Sequence, residues 1–203
     1  DIDTVTNFLN TFQFKDSETG TIETLIEKLG GIQDARIIPY LEELYKKGKL
    51  KAIGVSNFYP DRLIDLIKFN ELVPMVNQVE THPFQQQIAN QQFLNEHKIQ
   101  IESWAPFAEG RNALFENNTL SGIAKSHGKS VAQVVLRWLI QRDIVVIPKT
   151  VSRDRMIQNF EVFNFNLSDS EMNAIQSLDT QTSSFFDHRD PAMVHWLGNR
   201  SID

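Results

Sequence analysis

From residue 36 to residue 163 the chain alternates helical stretches with short apolar runs, and this alternation restricts the fold most. Strands separated by helix-length connections pair in parallel, through right-handed crossovers. IIPYLEELYKKG reads as an amphipathic helix stopped at Gly48. Strands are expected at Lys51 to Val55, Met75 to Val79, Ile99 to Trp104 and Ile144 to Ile147. Helices are expected at Tyr59 to Asn70, with Pro60 in its first turn, at Gln87 to His97, at Leu120 to His127 and at Ser130 to Arg142. A last one runs on to Phe163, and Gly110 to Asn118 is loop-like. Ser168 and Glu171 have the spacing of a capping box. Outside this region Ile2 to Val5 and Phe12 to Phe14 suit short strands, and Thr21 to Leu29 a helix ended by Gly30-Gly31. Residues 180–203 carry aromatic residues without a clear period, a tail that must lie on something.

Two folds fit the alternation, a (β/α)8 barrel and a doubly wound sheet. No GxGxxG follows any expected strand, so the dinucleotide fingerprint of the doubly wound fold is missing. Polar residues gather after successive strands, at Ser56-Asn57, from Asn77-Gln78 to His82, from Trp104 to Glu109 and from Lys149 onward. Function at the C-terminal ends of successive strands is the barrel pattern.

The segment IVVIPKTVSRDRMIQNF, residues 144–160, carries the most chemistry. Four β-branched residues suggest a strand buried on both faces, ended by Pro148. Lys149, Thr150, Ser152, Arg153 and Arg155 follow, and Ser152 is suited to cap the next helix. Cations, hydroxyls and free helix N–H groups at a strand end suit a phosphate, and an arginine there suits a ribose 2′-phosphate. The same residues also suit a solvated charged turn.

A chain of 203 residues that is 41% hydrophobic can bury one sizeable core. A net charge of −6 makes nucleic acid and anionic membranes poor partners. The absence of cysteine removes disulfides, thiolate nucleophiles and Cys-zinc sites, and no metal site is expected. No apolar run approaches the ~18–20 residues that span a bilayer, and no leader pattern opens the chain, so the cytoplasm is the expected compartment.

The segments GKLKAIGVSNF, VPMVNQVETHPF, SWAPFAEG and IPKTVSRDRMIQNF, in this order, resemble the aldo-keto reductase family from about Tyr40 to Leu178. The resemblance implies a (β/α)8 TIM barrel in which NADP(H) reduces aldehydes or ketones by hydride transfer. It further implies that Ser56, Asn57 and Gln78 bind the nicotinamide carboxamide and that Trp104 takes the place of a tyrosine stacked under the ring. Ala105 to Phe107 would pass over the pyrophosphate, Lys149, Thr150 and Arg155 would hold the 2′-phosphate, and Gln158 and Asn159 would reach the adenine. His82 is read as structural, because the family's catalytic histidine follows an earlier strand in a different motif. Phe185, Phe186 and Trp196 would line the substrate mouth, or pack outside it.

The first half of the barrel is incomplete or degenerate in this sequence. A typical barrel takes ~250 residues, and the deficit falls before residue 40. Residues 2–10 resemble the segment with the family's aspartate and tyrosine, which makes Asp3 the aspartate but puts Phe8 at the tyrosine. Residues 27–34 resemble the segment with the lysine, which makes Lys28 a candidate, or else an exposed helix residue. Asp3 and Lys28 are therefore the catalytic candidates. The whole chain is expected to be one domain, with residues 1–35 as its degenerate part, 36–178 as the cofactor-holding units and 179–203 as a tail over the barrel mouth. It would be a monomer if the barrel is complete and a homo-oligomer if it is a half-barrel, whose open edges need cover. The function implied is NADP(H)-dependent reduction of a small carbonyl compound; a catalytically impaired nucleotide-binding or scaffold module on the same fold is the alternative.

Overall fold

The computed structural model describes residues 38–199. In chain order these form α1 (Ile38–Lys46), β1 (Gly54–Ser56), α2 (Pro60–Phe69), β2 (Val76–Glu80), α3 (Ile88–Glu96) and β3 (Gln100–Trp104). A kinked 3-10 segment (Ala108–Glu116) leads to α4 (Asn118–His127), α5 (Val131–Gln141), β4 (Val145–Val146), α6 (Arg153–Phe160), α7 (Asp169–Gln176) and α8 (Pro191–Gly198).

Among the described residues the four strands make one sheet in the order β1-β2-β3-β4, and every pairing is parallel. A doubly wound sheet would reverse strand order at a switch point; sequential parallel order is that of a barrel wall. Part of a barrel is present. The register pairs Ser56 with Gln78, Gln78 with Glu102, Glu102 with Val145, and Glu80 with Trp104. Side chains alternate along a strand, so these residues share one face, and Asn77, Val79, Ile101 and Ser103 point to the other.

The two faces differ. On the second face Val79, Ile101 and Ile144 join Leu63, Leu94, Leu120, Val134, Val135, Trp138 and Leu139 in a core between sheet and helices. The first face is largely open, with Gly54, Ser56 and Gln100 exposed and Glu102 and Trp104 half-buried. The expectation that residues 144–147 form a strand buried on both faces is corrected here. Only Val145 and Val146 are strand, and Val145 and Ile147 are 42% and 49% exposed. β4 is an edge strand among the described residues, so its open-face side chains have no neighbour on the far side.

Local rules explain most helix ends. The Ser130 hydroxyl accepts from the Gln133 N–H at 3.2 Å, and the Gln133 side chain accepts from the Ser130 N–H at 3.0 Å. Ser168 and Glu171 make the same reciprocal cap on α7, as their spacing predicts. Pro60 opens α2, where a missing N–H costs nothing. Gly54 serves a close approach, since a Cβ there would lie 2.7 Å from the Val76 carbonyl oxygen. Two departures stand out. The helix expected to reach Phe163 ends at Phe160, and the aperiodic tail contains α8, capped by Asp190 accepting from the Ala192 N–H at 2.9 Å. No helix among the described residues is long and apolar enough to cross a membrane.

Candidate cofactor site

At the C-terminal ends of β1, β2 and β3 the residues expected to meet a nicotinamide are tied into one hydrogen-bonded row. The Trp104 indole N–H donates to Asn57 Oδ1 at 2.8 Å. The Asn57 amide donates to Ser56 Oγ at 3.3 Å, and the Ser56 hydroxyl donates to the Gln78 backbone carbonyl at 3.0 Å. The Gln78 amide donates to Glu102 Oε1 at 2.6 Å. Parallel pairing brings these residues together, and Asn57, at φ 58°, turns the chain back over the row. Asparagine tolerates that left-handed conformation better than most residues.

The row is not saturated. A primary amide offers two N–H donors and a carbonyl acceptor. Among the described residues Gln78 Oε1 has no donor, and Asn57 and Gln78 each use one N–H for the bonds above. What remains on the two side-chain amides is one acceptor and two donors, the groups that pair with a carboxamide.

Trp104 is followed by a strained loop. Ala105, Ala108, Glu109, Asn112 and Ala113 all have φ between 48° and 56°. Left-handed backbone costs an L-residue roughly 1–2 kcal/mol, and such strain concentrates at functional sites. Phe107 anchors the loop by packing on the core and tilting against Phe115, with ring centroids 5.9 Å apart.

At the end of β4 the arrangement is looser. Lys149, Arg153 and Arg155 are exposed, and among the described residues none of them makes an ion pair. Ser152 caps α6, its hydroxyl accepting from the Arg155 N–H at 3.5 Å. The Thr150 hydroxyl accepts from the Ser152 N–H at 3.1 Å, which leaves its own O–H to donate outward. Gln158 is exposed and Asn159 half-buried one turn further on. Three exposed cations, without an ion pair among the described residues, beside a capped helix N-terminus suit a phosphate. The amide row lies on β1 to β3 and the cations follow β4, all strands of one sheet. β1 and β4 are three strand steps apart, roughly 14 Å at a spacing of about 4.8 Å.

Asp3 and Lys28 lie outside the described residues, as do Phe8 and the sequence before residue 38.

A family model described as "Aldo/keto reductase family" matches residues 12–180. The chain belongs to the aldo/keto reductase family. It is similar to a 9,11-endoperoxide prostaglandin H2 reductase of Trypanosoma cruzi, at 48% identity over 68% of this chain and 49% of that protein. It is also similar to a glyoxal reductase of Bacillus subtilis, at 46% identity over 68% of this chain and 49% of that protein. Among solved structures, a Gox0644 mutant in complex with NADPH aligns with a TM-score of 0.68 at 40% identity, over 71% of this chain and 53% of that one. The chain spans about half the length of the relatives it matches. These aldo/keto reductases support the barrel topology of the sheet and carbonyl reduction as the general chemistry of the family.

Two residues beside the row, Glu102 and Glu80, are not singled out in the sequence, whereas His82 is, as a structural residue. Glu102 orients Gln78. Glu80 is 3% exposed and sits opposite Trp104. His82, wholly buried, accepts the Phe84 N–H on Nδ1 at 3.2 Å and faces Glu80 through Nε2 at 2.9 Å. The first bond places the ring proton on Nε2, so His82 is a donor to Glu80 and a structural residue. A carboxylate two positions before a histidine at a strand end was the available clue.

Proposed function

We propose that this chain forms the cofactor-holding wall of an NADP(H)-dependent carbonyl reductase. The observation that carries the reading is the Ser56-Asn57-Gln78 amide row on β1 and β2 together with Lys149, Arg153 and Arg155 after β4 of the same sheet, cations without an ion pair among the described residues. The NADPH-bound relative adds support. In this reading Asn57, Gln78 and Ser56 fix the carboxamide and with it the ring's rotation. Trp104 is the platform beneath the ring, held in plane by its bond to Asn57. Ala105 to Phe107 lie along the pyrophosphate. Lys149, Thr150 and Arg155 grip the 2′-phosphate, and Gln158 and Asn159 border the adenine.

When bound, NADPH supplies the hydride; the protein supplies orientation and a proton source. This chain's described residues orient. Asp3 and Lys28 are the residues offered for the proton-relay side of the site. The small dicarbonyl named for the Bacillus relative makes short aldehydes a reasonable first substrate class. An NADPH-supplied compartment such as the cytoplasm is the setting required.

The test is a titration followed by turnover. NADPH is expected to quench tryptophan emission saturably, and an aromatic or short aldehyde to drive steady NADPH oxidation. Absence of any NADPH binding contradicts the reading. Binding without turnover restricts it to the nucleotide site.

A further inference from the structure

Glu80 is the best-connected side chain at the rim that the cofactor reading leaves unused. It stands at the end of β2, in register with Trp104 on β3, and its side chain points to the open face. Its carboxylate accepts three hydrogen bonds. His82 Nε2 donates to Oε1 at 2.9 Å, the Ser184 backbone N–H donates to Oε1 at 2.8 Å, and the Ser183 hydroxyl donates to Oε2 at 2.5 Å. Two of these donors come from a segment more than a hundred positions away in sequence.

That segment then covers Trp104. Phe185 lies 5.1 Å from the indole, tilted by 56°, and His188 lies 5.8 Å away at 70°. A second fastening comes from the strained loop. Arg111 donates to the Ser184 carbonyl at 2.8 Å and stacks 4.2 Å over Phe185, and the Asn112 amide donates to Ser184 Oγ at 2.8 Å. Ser184 is therefore held on both sides, by a buried carboxylate and by the loop after Trp104. Burial alone would raise the Glu80 carboxyl's pKa, yet the bonds from His82, Ser183 and Ser184 outweigh it and hold the group below the usual glutamate range. It is ionised at neutral pH, and charge-assisted bonds of this kind are about twice as strong as neutral ones.

We propose that Glu80 is a positioning residue: by fastening Ser183 and Ser184 to the end of β2 it fixes Phe185 and His188 beside Trp104, and so sets the wall against which a flat carbonyl substrate packs. The choice of substrate rests on the carbonyl-reductase reading; the fastening itself does not.

The test uses Glu80→Gln, which keeps the shape but removes the charge, and Ser183→Ala, which removes one donor from the tail. Glu80→Ala is unsuitable, because it strands the buried His82 donor. In the full chain, amide exchange at Ser184 and Phe185 is expected to quicken about tenfold or more in each variant, while the Val79 amide is unchanged. The double variant is expected to add little to either single one, since both break the same contact. With NADPH present, KM for a benzaldehyde is expected to rise at least fivefold at near-constant kcat, and KM for a two-carbon aldehyde to stay within twofold. Unchanged exchange, or strictly additive effects, overturns the fastening. Quickened exchange with both KM values unmoved overturns the positioning role. If the unmodified chain oxidises no NADPH, the carbonyl-reductase reading fails instead, and the exchange data still decide whether Glu80 holds the tail.

Discussion

The two faces of the sheet are built on opposite principles. The helix-covered face is written in Val79, Ile101, Ile144 and the α5 residues Val134, Val135, Trp138 and Leu139, all nearly inaccessible, and it carries the stability. The open face is written in Ser56, Gln78, Glu80, Glu102 and Trp104, which bond to one another and to the tail but leave donors and acceptors unspent. Close packing tolerates little change, whereas an open polar face can lose a side chain cheaply. Stability and binding are therefore separable by strand parity: alternate residues of the same β2 and β3 serve one or the other.

The sharpest way to break this comparison is at the core. Trp138 is 1% exposed, and Arg142 stacks over its ring at 4.5 Å. Trp138→Ala is expected to cost roughly 3–5 kcal/mol, read as a shift of the urea midpoint. Val145→Ala, on the open face, is expected to change stability by no more than about 0.5 kcal/mol. Similar losses for both would erase the distinction between faces.

Capping is a smaller effect on the same side. Ser130→Ala removes half of the α5 capping box and is expected to cost about 1 kcal/mol, with NADPH affinity unaltered. A loss of affinity equal to the loss of stability would show that the two faces are coupled.

Gln78→Leu probes the other face. It deletes the contact to Glu102 and the unspent amide groups, so NADPH affinity is expected to fall roughly three- to tenfold, the worth of one neutral hydrogen bond. The urea midpoint is expected to stay put.

The smallest expected effect is one of pH, and it concerns the tail. Glu80 has its pKa lowered on folding, as does His188, whose burial outweighs the raising influence of Glu80 and Asp187. A lowered folded-state pKa means fewer protons bound in the folded form, so both groups favour the fastened tail at neutral pH and lose that contribution as pH falls. His188 goes first, as pH falls below the ordinary histidine range, and Glu80 follows below the ordinary carboxylate range. Exchange at Ser184 is expected to rise, relative to Val79, over both windows, and Glu80→Gln is expected to remove the lower one. A ratio that falls on acidification would contradict the sign.

Much of this was legible beforehand, for local reasons. Pro60, the Ser152 and Ser168 caps and the polar residues after each strand are short-range signals, and the structure puts them where the sequence predicts. The burial of residues 144–147 does not follow from their sequence, because a β-branched run reports strand propensity, while burial depends on which strand lies alongside; here β4 is an edge among the described residues. α8 went unseen because PAMVHWLG is apolar on every side and shows no stripe, although Asp190 and Pro191 are a fair start signal. The Glu80 contact to Ser183 joins positions 103 apart, and no local pattern encodes such a meeting.

In the proposed binding mode one dinucleotide spans the strand ends from β1 to β4 and is gripped by its 2′-phosphate beside Pro148. Parallel titrations of NADPH and NADH into the unmodified chain and into Arg155→Ala test it most directly. The account predicts that the unmodified chain binds NADPH at least tenfold more tightly than NADH, and that Arg155→Ala weakens NADPH by about ten- to a hundredfold, the worth of one or two bonds to a charged group, while NADH is nearly unaffected. Equal affinity for both nucleotides in the unmodified chain, or an equal loss of both in the variant, would contradict it.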